Sequence, residues 1–164
     1  MRVAVLKCQK LPSFVTWEIP NVEDLFADDR MLIAELAERG VEAESVVWGD
    51  SSVDWDQFDV ALIRSTWDYI DERERFLSVL AEIEESSCQL FNPLEAVRWN
   101  SDKSYLLDLR DWQVPIVPTH LASATAPAIL QDRIVQQGWP SAVLKPRIGA
   151  GAADVCRVPS HEIA

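Results

Sequence analysis

The sequence has no hydrophobic run approaching the roughly 18 residues that a membrane-spanning helix needs. Its N-terminus, Met1-Arg2-Val3-Ala4-Val5-Leu6-Lys7, has too short an apolar stretch for a signal peptide. Cysteine is sparse: Cys8, Cys88 and Cys156 are far apart and odd in number, which gives neither a zinc spacing nor a disulfide framework. Two isolated histidines, His120 and His161, form no cluster and read as structural or exposed. Positive charge is also scarce, with 15 Lys and Arg against 27 Asp and Glu. The first ninety residues hold 8 of the former and 20 of the latter, so the whole net charge of −12 lies there, and the remainder is balanced at 7 against 7. Nucleic acid, which needs a basic face, is therefore excluded as a partner. The acidic half reads as a solvated surface, and the neutral half is where an anion is better tolerated. No repeat or low-complexity linker is present. These features lead us to expect a cytoplasmic protein with no membrane partner.

What is present suits a folded domain. The 164 residues are 48% hydrophobic and 26% charged, enough for one domain or one domain plus part of another. Strand and helix patterns alternate. Arg2–Leu6 is β-rich. Asp28-Asp29 then open a helix through Leu32 and Leu36 that ends at Arg39 and Gly40. Residues 41–48 are the next strand. Asp59–Ile63 is a short apolar run of the kind buried on both sheet faces. Phe76, Leu80 and Ile83 mark a helix over 72–86, and Gln89–Phe91 a fourth strand stopped by Asn92-Pro93. This alternation predicts an α/β fold: an open parallel sheet flanked by helices, with ligands at the carboxyl ends of the strands.

Beyond residue 95 the pattern changes, and we place a domain boundary there. Residues 101–112 read as a helix capped by Asn100 or Ser101, and 116–118 as extended. A helix is bracketed by Thr125, Pro127 and Gly138. Ser141–Lys145 is a strand, 146–153 a loop, and 154–158 the start of another strand. The segment 9–27 is long and aromatic, with Phe14, Trp17 and Phe26, and suits a lid or a partner contact.

Three units carry chemistry. Leu144-Lys145-Pro146-Arg147-Ile148-Gly149-Ala150-Gly151-Ala152 puts a lysine at a strand end before a glycine-containing loop. Glycines let backbone N–H groups turn toward phosphate oxygens and lysine adds a point charge. It is not a Walker loop, and a solvated hairpin edge reads equally well. Lys103 falls in the first turn of the expected helix, a poor place for a cation unless it meets an anion; a tolerated surface lysine is the plainer reading. Arg64-Ser65-Thr66-Trp67-Asp68-Tyr69 follows the most buried-looking strand. Arg64 could hold a carboxylate bidentately. Alternatively, Trp67 and Tyr69 pack on the next helix while Asp68 caps it.

In order and spacing these units resemble the ATP-grasp superfamily, in the glutathione-synthetase-like group that includes the cycloserine-forming cyclo-ligase. The resemblance runs along nearly the whole chain. It rests on Asp28-Asp29, Val46-Val47-Trp48, Val53-Asp54-Trp55, Phe58-Asp59, Ile63–Tyr69 and Leu90-Phe91-Asn92-Pro93-Leu94. It continues through Arg98–Lys103, Val114-Pro115, Pro118-Thr119, Leu144-Lys145-Pro146 and Gly149–Ala152. It implies a Rossmann-like pre-ATP-grasp domain over 1–94 and, over 95–164, the beginning of the small α+β lobe of the ATP-grasp fold. It also implies ATP and Mg²⁺ as cofactors, with Lys103, Lys145, Arg147, Gly149, Ala150, Gly151 and Ala152 at the nucleotide. Arg64, Ser65, Thr66, Trp67 and Asp68 would face an amino-acid-like or carboxylate substrate. The implied reaction is C–N bond formation through an acyl phosphate by a carboxylate–amine ligase or cyclo-ligase. The chain ends inside the small lobe. Asp154 and Glu162 do not fit the metal motif, so no catalytic or metal-binding residue is expected here and the chain alone is expected to be inactive.

A non-catalytic ligand- or partner-binding α/β module is the alternative, and a homodimer is the candidate assembly. A flavodoxin- or receiver-like domain with an acidic pocket at Asp28-Asp29 is a third reading, disfavoured because these residues lie far along the chain from the first strand's end. Of the two phosphate-site lysines, Lys145 is expected to be the more constrained, because it leaves a strand.

Overall fold

A computed structural model describes residues 1–11, 22–122 and 127–160. Phe14, Trp17, Thr125, His161 and Glu162 lie outside the described residues. The chain divides into two compact units, Met1–Arg98 and Trp99–Ala164.

In the first unit, β1 (Arg2–Lys7), β2 (Glu42–Val47), β3 (Val60–Ser65) and β4 (Gln89–Phe91) form one sheet in the order β2-β1-β3-β4. All three pairings are parallel. Helices α1 (Ala27–Glu38) and α2 (Arg73–Glu85) are the β1–β2 and β3–β4 crossovers. From β1 the chain moves one way across the sheet, and from β3 it moves the other. Right-handed crossovers in both directions put α1 and α2 on opposite faces. The gap between the carboxyl ends of β1 and β3 is then the topological switch point, the usual ligand crevice of such sheets.

The sequence explains these elements locally. Gly40, at φ 75°, follows α1 and takes the left-handed conformation that ends it. Phe76, Leu77, Leu80 and Ile83, one face of α2, are buried in a cluster with Leu6, Trp48 and Leu90. Asp54 caps the single turn Trp55–Gln57 by accepting from Asp56 N–H. The strand buried on both faces is β1, not β3. Val3 through Leu6 are all buried, whereas Val60, Leu62 and Ile63 are only half-buried. An apolar run alone does not distinguish two interior strands. Partway along, the β1–β3 register skips a residue. Leu6 pairs with Ile63 and Lys7 with Ser65, so Arg64 is left over.

The second unit departs from expectation at its start. The helix expected over 101–112 is shorter, α4 (Tyr105–Asp111), and a further helix that was not expected, α3 (Leu94–Asn100), precedes it across a turn. Pro93, read as a strand stop, also starts a helix: its carbonyl accepts from Val97 N–H at 3.1 Å. Lys103 is therefore in the turn and not in a helical first turn. Asp102 shapes that turn by accepting from Ser104 N–H at 2.9 Å. Helix α5 (Pro127–Gln136) ends before Gly138, at φ 64°. Strands β5 (Ser141–Leu144) and β6 (Cys156–Pro159) form an antiparallel pair. His120 is exposed, its ring 5.8 Å from Trp139. No helix among the described residues is long and apolar enough to cross a membrane.

Candidate functional site

The first cluster sits at the switch point. After β1 the chain turns through Cys8, Gln9 and Lys10. After β3 it passes through Thr66 into a short turn of helix over Trp67–Ile70. Asp68 ties the two ends together. It is buried and accepts from Gln9 N–H at 2.8 Å, Lys10 N–H at 3.1 Å and the Trp48 indole at 2.6 Å. Three donors on one carboxylate make Asp68 an internal post of the sheet's carboxyl edge. It does not cap α2, whose N-cap is Glu72.

Ser65 and Thr66 are buried, and their carbonyls accept from Cys8 N–H at 2.7 Å and Tyr69 N–H at 3.1 Å. Trp67 is half-buried and stacks on Phe26 with ring centroids 5.6 Å apart. Lys7 Nζ lies 5.3 Å from the centre of the same Phe26 ring. Tyr69 instead packs on Phe76 of α2, at 5.5 Å. Arg64 is exposed and pairs through Nε with Asp29, at 3.4 Å. Beside them a cavity of about 200 Å³ is lined by Lys7, Cys8, Gln9, Lys10, Leu11, Phe26 and Val47.

Asp29 is the residue that sequence reasoning misplaced. It lies in the first turn of α1, where an anion suits the dipole. It is also buried beside the carboxyl ends of β1 and β3, so its distance along the chain from β1 was a poor guide. The Cys8 thiol registers the closeness of these carboxylates. Burial first, then Asp68, and to a lesser degree Asp29, push its pKa up to about 11. Cys8 therefore stays a neutral thiol and is no nucleophile. The sequence gives Trp48 and the Gln9–Lys10 amides no role at a site, and it puts Phe26 only in a segment suited to a lid or a partner contact. The rule that open parallel sheets bind at strand ends nominates all but Phe26.

The second cluster lies within Trp99–Ala164. The turn carrying Lys103 docks on the loop after β5: Lys103 N–H donates to the Arg147 carbonyl at 2.9 Å. Its ammonium donates to the carbonyls of Gly149, at 3.1 Å, and Arg147, at 3.4 Å. Arg147 forks onto Asp102, with Nε and Nη2 at 3.1 and 2.6 Å. Burial alone would raise the Asp102 pKa, but the Arg147 and Ser104 hydrogen bonds and the guanidinium charge together hold it below the usual carboxylate value. Lys103 is lowered, first by burial and then by the neighbouring positive charge of Lys145, with Asp102 opposing.

Lys103, Lys145, Arg147 and Gly149 are thus brought together. Of the two lysines Lys103 is the more constrained and Lys145 is exposed, the reverse of the expectation. Past Gly149 the loop turns through Ala150 to Ala152, with Gly151 and Ala152 both at φ near 60°. Two lysines beside a loop of small residues give this turn a positive character. Among the described residues no three of His, Cys, Asp and Glu are grouped to hold a metal.

The chain is similar to known proteins. Residues 3–92 match the family described as the N-terminal domain of D-cycloserine synthetase DcsG. Cycloserine biosynthesis protein DcsG of Streptomyces lavendulae is 33% identical over 121 residues, which are 72% of this chain and 40% of that protein. The crystal structure of D-cycloserine synthetase DcsG matches with a TM-score of 0.81 and 25% identity, covering 99% of this chain and 52% of the other. A RimK domain ATP-grasp protein from Sphaerobacter thermophilus shares the fold, at a TM-score of 0.68 and 22% identity over 99% of this chain and 55% of that one. The chain spans 40% of the curated relative's length and about half of the solved relatives'. The matched segment reaches from β1 past the end of β4 and so carries both sides of the switch point: this chain belongs to the family of the DcsG N-terminal domain.

Proposed function

We propose that this chain is the substrate- and phosphate-binding N-terminal portion of an ATP-dependent carboxylate–amine ligase or cyclo-ligase. In this reading residues 1–94 are the pre-ATP-grasp domain and residues 95–164 begin the small lobe. Arg64 takes a carboxylate of an amino-acid-like substrate at the switch point, with Ser65, Thr66, Trp67 and Asp68 forming and bracing the seat. Lys103 and Lys145 take phosphate oxygens of ATP, Arg147 braces the turn through Asp102, and Gly149–Ala152 offers backbone N–H groups. Magnesium would be held by residues other than those described. The reaction would join a carboxylate oxygen to the γ-phosphorus with loss of ADP. An amine nitrogen would then attack the acyl carbon and expel phosphate. The residues of one unit would hold the phosphates and those of the other the carboxylate, each a matter of position and charge.

The observation that carries the reading is the docking of Lys103 on the Gly149 carbonyl, 3.1 Å away, beside Lys145. It is tested by titrating the isotope-labelled chain with ATP and with adenosine and following the amide resonances of Gly149 and Gly151. A saturable shift with ATP and none with adenosine is expected. Equal responses, or none at millimolar nucleotide, would remove the phosphate site.

A further inference from the structure

The Asp29 side chain is 1% exposed, yet among the described residues no donor gives a hydrogen bond to either of its carboxylate oxygens. A buried acceptor left in that state is costly, and the first turn of α1 offsets only part of the cost. Its one ionic contact among the described residues is Arg64 Nε, at 3.4 Å. Arg64 is itself unusual. It is the residue left over where the β1–β3 register skips, and such irregularities re-aim a side chain beside a site. Its side chain is 43% exposed.

A guanidinium has two edges that can face a carboxylate: one pairs Nε with an Nη, the other is the fork of Nη1 and Nη2. Asp29 touches Nε, and among the described residues no acceptor lies on Nη1 or Nη2. We infer that Asp29 is a positioning residue, holding Arg64 by Nε so that its Nη1–Nη2 edge faces the carboxylate of a small amino-acid-like ligand at the switch point. This rests on the reading of Arg64–Asp68 as the substrate seat. It adds a reason for burying an acceptor without hydrogen bonds: the same contact that tolerates the buried charge orients the guanidinium before the ligand arrives, so less side-chain entropy is lost on binding. If Asp29 were a counter-charge only, any cation at position 64 would serve.

The test uses the 164-residue chain with labelled arginine and labelled amides, titrated with D-serine, L-serine and serine methyl ester. Affinity is read from the Thr66 and Trp67 amides, and side-chain order from the Arg64 Nε–H resonance. Asp29→Asn is expected to weaken serine binding at least about tenfold and to speed Nε–H exchange, while the weak response to the ester stays unchanged. Arg64→Lys is expected to lose as much as Arg64→Ala, because lysine has no fork to present and its ammonium is drawn to Asp29. Serine affinity unchanged in Asp29→Asn but abolished in Arg64→Ala would overturn the positioning role and leave the seat standing. Serine affinity unchanged in Arg64→Ala would remove the seat, and the positioning role with it. Should Asp29→Asn fail to fold, Arg64→Lys decides: full binding overturns the inference, and loss equal to Arg64→Ala upholds it.

Discussion

Met1–Arg98 and Trp99–Ala164 hold their charged residues in different ways. In the first unit two carboxylates, Asp29 and Asp68, are sunk into a sheet edge above a continuous apolar cluster. In the second, among the buried apolar residues described, only Ile134 appears. Its charged groups are fixed by backbone carbonyls and by the Arg147–Asp102 fork near the surface. Burial gives a carboxylate few ways to move, so the first unit can orient a side chain in advance. The second must rely on short turns, where each ion pair is worth little because water screens it. In the proposed function, this difference would give a rigid seat for a substrate and an adjustable one for a polyanion.

The sharpest challenge to this contrast is a cavity in the first core. Leu80→Ala should destabilise Met1–Arg98 by about 2–5 kcal/mol, read as lost amide protection in β1 and β3 with little change in β5 and β6. Uniform loss through both units would break the comparison.

The second unit's seat is tested by its lysines. Lys103→Ala and Lys145→Ala should each weaken ATP binding by about tenfold to a hundredfold in calorimetry. The larger loss is expected for Lys103, which also anchors the loop through Gly149. A larger loss for Lys145 would mean that strand-end position outweighs the anchoring.

A smaller effect is expected at the post. Asp68→Asn sets an amide where a carboxylate faces the Gln9, Lys10 and Trp48 donors. It should cost about 1–3 kcal/mol in urea unfolding. No change would mean that strand packing alone closes the switch point.

The smallest effect is chemical. With a buried thiol raised to about 11 from 9.0, Cys8 should resist iodoacetamide at mildly alkaline pH, as should buried Cys88, while exposed Cys156 reacts. The sign for stability follows. The unfolded thiol ionises first, so the Cys8 contribution is whole below its ordinary pKa and is lost as pH rises toward about 11. Mass spectrometry of the alkylated native chain checks the order of reaction.

Periodicity and punctuation alone determined a good deal here. The order of strands and helices from β1 to β4, the parallel sheet, the ends of α1 and α5 and the nomination of the Arg64–Asp68 segment all follow from local signals: apolar runs, acidic helix starts, and glycines past helix ends. Local signals nominate Lys103 and Lys145, 42 positions apart, without joining them; only the resemblance to the ATP-grasp superfamily puts both at one nucleotide. Only the tertiary structure decided that the Lys103 turn docks on the Gly149 loop, that Pro93 starts a helix, that β1 and not β3 is the strand buried on both faces, and that Arg64 falls at a skipped register. Asp29 shows why. Its sequence marks it as a helix-start acid, a role set by its immediate neighbours. Its burial beside Arg64 depends on where α1 returns over the sheet, and that is fixed by the packing of distant segments, which leaves no mark in any short stretch of the chain.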